Sequence, residues 1–503
     1  MKLADVALVI ALGIPACGDD GGASDGATTG DASTSAATVS AGTVADVSTG
    51  AASSTTEGGS SGTDAGSSTS TGTASSSGTD TTDGSGSEST GAPLEPFECD
   101  WTVPVEVNDD VTFTAQASEV AIDAAGNATV VFQQTITTNP ASVQSRRYEV
   151  SGGAWALDTV VLEGAPELAT TPHVALAPGG DGIAVWTQNG LLRANRYDAA
   201  TNGWAGDEAP AVGSPHLSRT YAAIDPDGNA FVAWDEDGAT VQITATRYDI
   251  DTGAWSPAQA LANSAGDAEV ADLTVDGLGN AFIVWGQSTG VFAARFDATA
   301  ETWSAGQQVI AIPPTSFPIV TADDDGNALV FRTRQIANDY EAVEARYDAA
   351  SGSWQAQSVF DNEGGRVPVV ALGGSGDGFA LYGGAGGADE AVSAARYDGA
   401  TGTWGPGERL DIEQGYAGSP QIDVNASGHA VAVWTHNLAV GRSVWAACFD
   451  ASTQTWGAAQ QISDLDDSWN GSTSLALNDA GDVTVIWGHD VLGSARIQAV
   501  RRQ

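Results

Sequence analysis

Ala223-Ile224-Asp225-Pro226-Asp227-Gly228-Asn229-Ala230-Phe231-Val232-Ala233-Trp234 reads as an apolar strand, a tight turn and a second apolar strand that ends in an aromatic. Pro226 presets φ, Asp225 and Asp227 can bond back to the backbone, and Gly228 accepts the positive φ that closes such a turn. A third strand follows, Thr244-Ala245-Thr246-Arg247-Tyr248-Asp249. Thr252-Gly253 forms a second tight turn, and Trp255 opens a fourth strand. The stretch therefore encodes four short antiparallel strands in about 50 residues.

The same unit recurs. Its turn glycine returns at Gly126, Gly180, Gly228, Gly279, Gly326, Gly376, Gly428 and Gly481, at intervals of 47 to 54 residues. An aromatic residue followed after six residues by tryptophan accompanies it, as in Tyr148–Trp155, Tyr197–Trp204, Phe296–Trp303 and Phe449–Trp456. A fixed spacing inside each unit and a variable spacing between units mark a repeat array. Four-stranded antiparallel units at this period predict an all-β fold, a β-propeller.

The two ends of the array complement each other. The last unit stops in a third strand, Ser494–Arg501, while the first is preceded by an orphan fourth strand opening at Trp101. Joining them completes a blade and removes two open sheet edges. The count gives an eight-bladed ring over residues 95–503, closed by strand 101–108. A seven-bladed ring that omits the unit around Gly376 is the alternative. Thirteen of the fifteen tryptophans occupy the two repeat positions and are expected to pack between neighbouring sheets. The repeated arginines, such as Arg147, Arg196 and Arg247, are expected to stack on tryptophan or to pair with a repeat aspartate. Cys448 replaces this arginine in the seventh unit. Cys99 precedes the closing strand of the eighth, so a Cys99–Cys448 disulfide is expected to lock the ring in an oxidising compartment.

The Tyr–x6–Trp spacing, with aspartate after the aromatic and Thr-Gly before the tryptophan, resembles the kelch repeat over residues 99–503. The kelch glycine pair at the end of the second strand is replaced by Trp186, Trp234, Trp285, Trp434 and Trp487 in most units. The Asp-Gly turns are also similar, more weakly, to the Asp-box of sialidase-like propellers. These resemblances imply a fold and no particular activity.

Residues 1–16 read as a secretory signal, with Lys2 ahead of an apolar core from Val6 to Ile14. Ile14-Pro15-Ala16-Cys17 resembles the lipobox of bacterial lipoproteins, which implies Cys17 as the lipidated residue. Gly18 at the next position leans the implied location toward the outer membrane, facing the periplasm or the cell surface. Residues 17–94 are Ser, Thr, Gly, Ala and Asp with few large apolar side chains. Such a composition cannot offset its ordering entropy, and it predicts a disordered tether.

The chain carries 64 acidic and 18 basic residues, a formal charge of −46. That balance excludes partners recognised through phosphates, so no nucleic acid is expected. Attachment to a membrane is expected through the lipid alone. No HExxH, nucleophile elbow, phosphate-binding loop or zinc spacing is present, so no catalytic residue, cofactor or metal ligand is assigned. The Asp-rich turns, Asp323-Asp324-Asp325 among them, are read as turn-formers rather than calcium ligands, because a short hairpin cannot converge six oxygens on one point.

The second-to-third strand loops and the blade connections vary from unit to unit, and binding residues tend to sit on such loops. Polar residues two positions past the second-strand aromatic are the candidate ligand contacts. They are Gln188, Glu236, Gln287, His436 and His489, with Asp490 beside the last and Trp469 in a connection on the same face. These features point to a monomeric, lipid-anchored scaffold that binds a protein or glycan at the cell surface. A carbohydrate-active propeller enzyme, a glycosidase or lyase, would instead show two or three carboxylates and an aromatic converging at the ring mouth. A purely structural envelope or adhesion protein is the third expectation.

Overall fold

In the computed structural model, the described residues are 97–108, 114–136, 139–165, 167–210, 219–236, 240–262, 268–312, 317–336, 339–360, 366–383, 391–411, 416–438, 441–464, 473–491 and 494–502. The expected signal, lipidated Cys17 and tether lie outside them. Every regular element among the described residues is a β-strand, and the strands form eight separate antiparallel sheets.

The innermost strands of the eight sheets touch in cyclic order. Thr114–Ile122 of blade 1 meets Ala169–Leu176 of blade 2, and so on through Thr220–Ile224, Ala268–Val275, Ile319–Ala322, Arg366–Leu372, Tyr416–Val424 and Thr473–Leu477, which returns to blade 1. The molecule is an eight-bladed β-propeller. The unit around Gly376 is a complete blade, Arg366–Leu372, Gly378–Gly383, Val392–Asp398 and Thr403–Arg409, so the seven-bladed alternative is wrong. Its irregular sequence still supplies the alternation and the turn glycine that a sheet requires.

The turns explain the repeat at atomic detail. Asp225 Oδ1 accepts the backbone N–H of Asp227 and Asn229, and its Oδ2 accepts from the Asn229 side chain. Asn229 Oδ1 in turn accepts from Ile250 N in the third-to-fourth strand turn. Asp123, Asp276 and Asp323 repeat the first pattern; Asn127, Asn280 and Asn327 repeat the second. Both tight turns of a blade are thereby tied together on one face. Gly228 sits at φ 96°, a conformation that strains any residue with a Cβ.

The two tryptophan series have different environments. Trp186, Trp234, Trp285, Trp434 and Trp487 are at most 1 % exposed, between blades, as expected. The fourth-strand tryptophans, among them Trp155, Trp204 and Trp255, are half-buried on the outer rim and pack edge-on against the aromatic of their own blade. The fourth strand itself is broken. In blade 1 it consists of Ala154–Trp155 and Val160–Val161, both paired with Asn139–Glu149. An outermost strand has one neighbour only, so an interruption there forfeits few hydrogen bonds.

The arginines stack on the aromatic of the following blade rather than on tryptophan. Arg147 lies 4.5 Å from the Tyr197 ring, Arg196 4.2 Å from Tyr248 and Arg346 5.0 Å from Tyr397, and Arg147 also pairs with Asp123 at 2.8 Å. Arg501 of blade 8 stacks at 4.0 Å on Tyr148 of blade 1 and carries the series across the closure. Blade 8 is closed by the N-terminal segment. Val105 pairs with Ala499, Glu106 with Gln498, and Trp101 bridges to Arg502. Cys99 and Cys448 are disulfide-bonded, joining this segment to blade 7.

Candidate functional site

The polar residues picked from the sequence sit at the outer ends of second strands, and they are more deeply packed than solvated loop residues. Gln188 is buried and donates from Nε2 to Ala165 O in the preceding blade connection, at 2.9 Å. Glu236 is half-buried and accepts from the Thr244 hydroxyl at 2.8 Å. Gln287 is buried. His436 is fully buried; its Nδ1 lies 3.4 Å from Oδ1 of the equally buried Asp411, and its ring is 6.1 Å from that of Trp445. His489 and Asp490 are half-buried on Val483–Val491, opposite Arg496 and Ala495. Trp469 lies outside the described residues.

The reason is the period of a strand. A residue two positions past a buried tryptophan shares its sheet face, so it points between blades. Gln188, Glu236, Gln287, His436 and His489 all stand in that relation to a repeat tryptophan. Gln188 and His436 contact the connection that enters their blade, and Glu236 contacts the third strand of its own blade.

A different set of residues gathers on the innermost strands. The position seven residues before the turn glycine is Glu119, His173, Tyr221 and Asp272 in blades 1 to 4, against Ile319, Val369, Gln421 and Ser474 in blades 5 to 8. Glu119 Oε2 lies 3.2 Å from His173 Nδ1, and the His173 ring is 5.2 Å from that of Tyr221. Burial pushes the Tyr221 phenol above its ordinary value; the Asp272 carboxylate raises it further and Arg219 opposes the rise. Burial likewise pushes the Asp272 carboxyl up to about 7, although two backbone N–H groups and His173 favour its charged form. Near Tyr221, Arg219 lies 3.6 Å from the centre of the Phe317 ring and 3.8 Å from Glu269.

This arc brings two carboxylates, an imidazole and a phenol onto one side of the ring. Such groups can hydrogen-bond a polyhydroxylated ligand, and the His173–Glu119 pair can hold or pass a proton. Part of the set also has a structural task. Glu119 accepts from Val174 N, Asp272 from Val320 N and Ser474 from Val120 N, each in the next blade, and Asp423, two residues past Gln421, does the same with Leu477 N. An innermost strand exposes unpaired N–H groups along one edge, and these side chains satisfy them. Aligning the eight units on their turn glycine reveals the arc in sequence, as one column that is ionisable in four consecutive units.

No family model and no curated protein matches the chain. Among solved structures, it is similar to the Dos1 propeller, at 10 % identity over 80 % of this chain and 95 % of that one, with a TM-score of 0.50. It is also similar to the polysaccharide lyase Uly1, at 9 % identity over 76 % and 88 % with a TM-score of 0.44. A third similarity is to the β-propeller domain of the Trilobed protease from Pyrococcus furiosus, at 10 % identity over 71 % and 100 % with a TM-score of 0.42. At these identities the likeness is one of fold.

Proposed function

We propose that the chain is a lipid-anchored, extracytoplasmic propeller that acts as a non-catalytic scaffold for a protein or glycan ligand. The observation that carries this is the division of labour within each blade. The residues that repeat are used up in turns, inter-blade stacking and the closure, while the second-to-third strand hairpins differ in composition and in how far their arms run: the second strand ends two residues past its tryptophan at Gln287 and four past it at Leu438. One is the tight Gln287–Gly290 hairpin and another spans residues 383–391. A scaffold that holds its frame constant and varies one rim is suited to recognition.

The test is a binding screen of the full-length chain against soluble glycans and cell-envelope proteins. It is repeated on a variant in which residues 384–390 are replaced by a short Gly/Ser turn. Binding by the parent that the replacement weakens at least tenfold supports the reading; a parent that binds nothing in the screen sinks it. Palmitate labelling of the parent against Cys17→Ala tests the anchor, and equal labelling rules it out.

The innermost arc favours one second reading, a carbohydrate-active enzyme. It predicts chain cleavage of an acidic polysaccharide that both Tyr221→Phe and His173→Ala reduce at least a hundredfold, whereas a scaffold leaves the polysaccharide intact.

A further inference from the structure

The outer rim holds a surface that the fold does not require. Val103 and Leu157 are 81 % and 89 % exposed, and Val105, Val160 and Val161 beside them are also open to solvent. Val105 belongs to the outer strand of blade 8 and Val160 and Val161 to that of blade 1, while Val103 and Leu157 stand between the paired fragments of the same two edges. The other blades provide an internal control, because ladder pairing equates their positions. Val105 and Val160 occupy the position held elsewhere by Glu208, Gln259, Gln307, Ser358, Glu408 and Gln460. Two residues past the outer tryptophan, where Val103 and Leu157 stand, the other six blades have glycine, alanine or proline. A polar or small outer strand is therefore compatible with this blade; elsewhere Val359 of blade 5 repeats the position of Val161, and the positions of Val103, Val105, Leu157 and Val160 are aliphatic and large only in the two adjacent blades.

The two strands are welded into one surface. Arg146 donates from Nη1 to the carbonyls of Glu106 and Val107 in blade 8, at 3.3 and 2.7 Å. It donates from Nε and Nη2 to those of Ala156 and Leu157 in blade 1, at 2.8 and 3.2 Å. The equivalent residue in the other blades is Asn195, Thr246, Val500 or alanine, so this weld occurs once. It spends a rotamer-rich cation on holding exposed aliphatic side chains in place, which preorganises the surface. The strand Val160–Val161 pairs with Asn139–Glu149 on one side. Asp158 is exposed beside Leu157, Glu106 beside Val105 pairs with Arg496 at 2.8 Å, and the net charge of the chain is −46.

We infer that this seam is a docking strip for an extended segment of a partner protein that alternates aliphatic and basic residues. Such a segment adds as a strand to the open edge. Its aliphatic side chains cover Val103, Val105, Leu157 and Val160, and its basic side chains meet exposed Asp158 and the negative field of the chain. Charge complementarity selects this occupant. A second copy of the chain brings the same large negative charge to the contact, and a lipid surface offers no strand to pair with the edge. The inference goes beyond the rim reading above and does not depend on it.

The probe is a capped peptide of about seven residues alternating lysine and valine, titrated by fluorescence anisotropy into the full-length chain. A lysine–serine and a glutamate–valine peptide serve as controls. The expected result is saturable binding of the lysine–valine peptide at least tenfold tighter than either control. Leu157→Ser combined with Val103→Ser should weaken it at least tenfold, while Leu278→Ser, an exposed leucine elsewhere, leaves it unchanged. Melting curves establish that the variants remain folded. Equal binding by the double variant overturns the proposal, as does failure of the parent to bind. Vesicle flotation on neutral lipid, or sedimentation of the parent as a dimer, that is lost in the double variant also overturns it, in favour of those occupants.

Discussion

Asp272 shows what one side chain can impose on the pH response of the whole ring. It is buried on an innermost strand and accepts N–H groups from Leu273 and from Val320 in the next blade, both at 2.9 Å. Its folded-state value, pushed up to about 7 by burial, lies above that of an unfolded aspartate near 4. Between those values the folded chain holds a proton that the unfolded chain has released. Stability from this group is therefore full below about pH 4, falls as pH rises toward 7, and is level above. Chemical denaturation at pH 4, 5.5 and 7 should show this loss, and Asp272→Asn, which cannot ionise, should lessen it by about 2–4 kcal/mol. An unchanged pH slope in the variant would assign the trend to other carboxylates. The sequence did not announce Asp272, because nothing local distinguishes it from the solvated aspartates of an acidic chain. Its environment is set by blades whose residues lie about 50 positions away. The burial of His436 and Gln188 was illegible for the same reason, since they are polar and next to a loop by sequence and enclosed between blades in space.

The turns were legible because their chemistry is contained within five residues. In Asp225-Pro226-Asp227-Gly228-Asn229 every donor and acceptor that shapes the turn lies inside the stretch, and the fold adds only the tie from Asn229 to Ile250. The fourth strands were less legible. A Trp-led strand was expected, and in most blades two fragments were found, whereas blade 6 keeps one strand, Thr403–Arg409, although it contains Pro406; an outermost strand has one ladder neighbour only and tolerates either form. The repeat also contains its own mutational series. Blade 2 has Ala177 and blade 6 has Gly373 where Asp225 stands, and both turns retain the backbone bond from the turn glycine. Asp225→Ala should therefore leave the blade intact while removing three hydrogen bonds to a buried carboxylate, a cost of about 2–3 kcal/mol in equilibrium unfolding. Loss of cooperative folding would show that the turns nucleate their blades and are more than local fasteners.

At the scale of the ring, the joint between blades 7 and 8 differs from the rest. At seven joints an arginine faces an aromatic ring of the next blade, the last being Arg501 over Tyr148. At the eighth, the arginine position holds Cys448 and the aromatic position holds Arg502, which stacks instead on Phe97. Two arginines there would repel, and the disulfide from Cys448 to Cys99 replaces the missing attraction with a covalent link. The closure lies beside this joint, within blade 8, where the N-terminal strand contributes the ladder from Val105 and Glu106 to Ala499 and Gln498, the Thr102 N to Arg501 O bond, and the Arg496–Glu106 ion pair. Linking residues 349 positions apart restricts the unfolded chain strongly, and the chain-entropy estimate is about 6 kcal/mol. Cys99→Ser with Cys448→Ser should lower the melting temperature by several degrees while leaving the strand ladder and a cooperative transition at 25 °C. Deleting residues 97–108 from the same variant should open the ring, exposing the edge of Ser494–Arg501 and producing concentration-dependent association. A reduced protein that melts where the oxidised one does would mean that the strand alone closes the ring, with Phe97 and Arg502 sufficient at the one joint that lacks the repeat's own fastening.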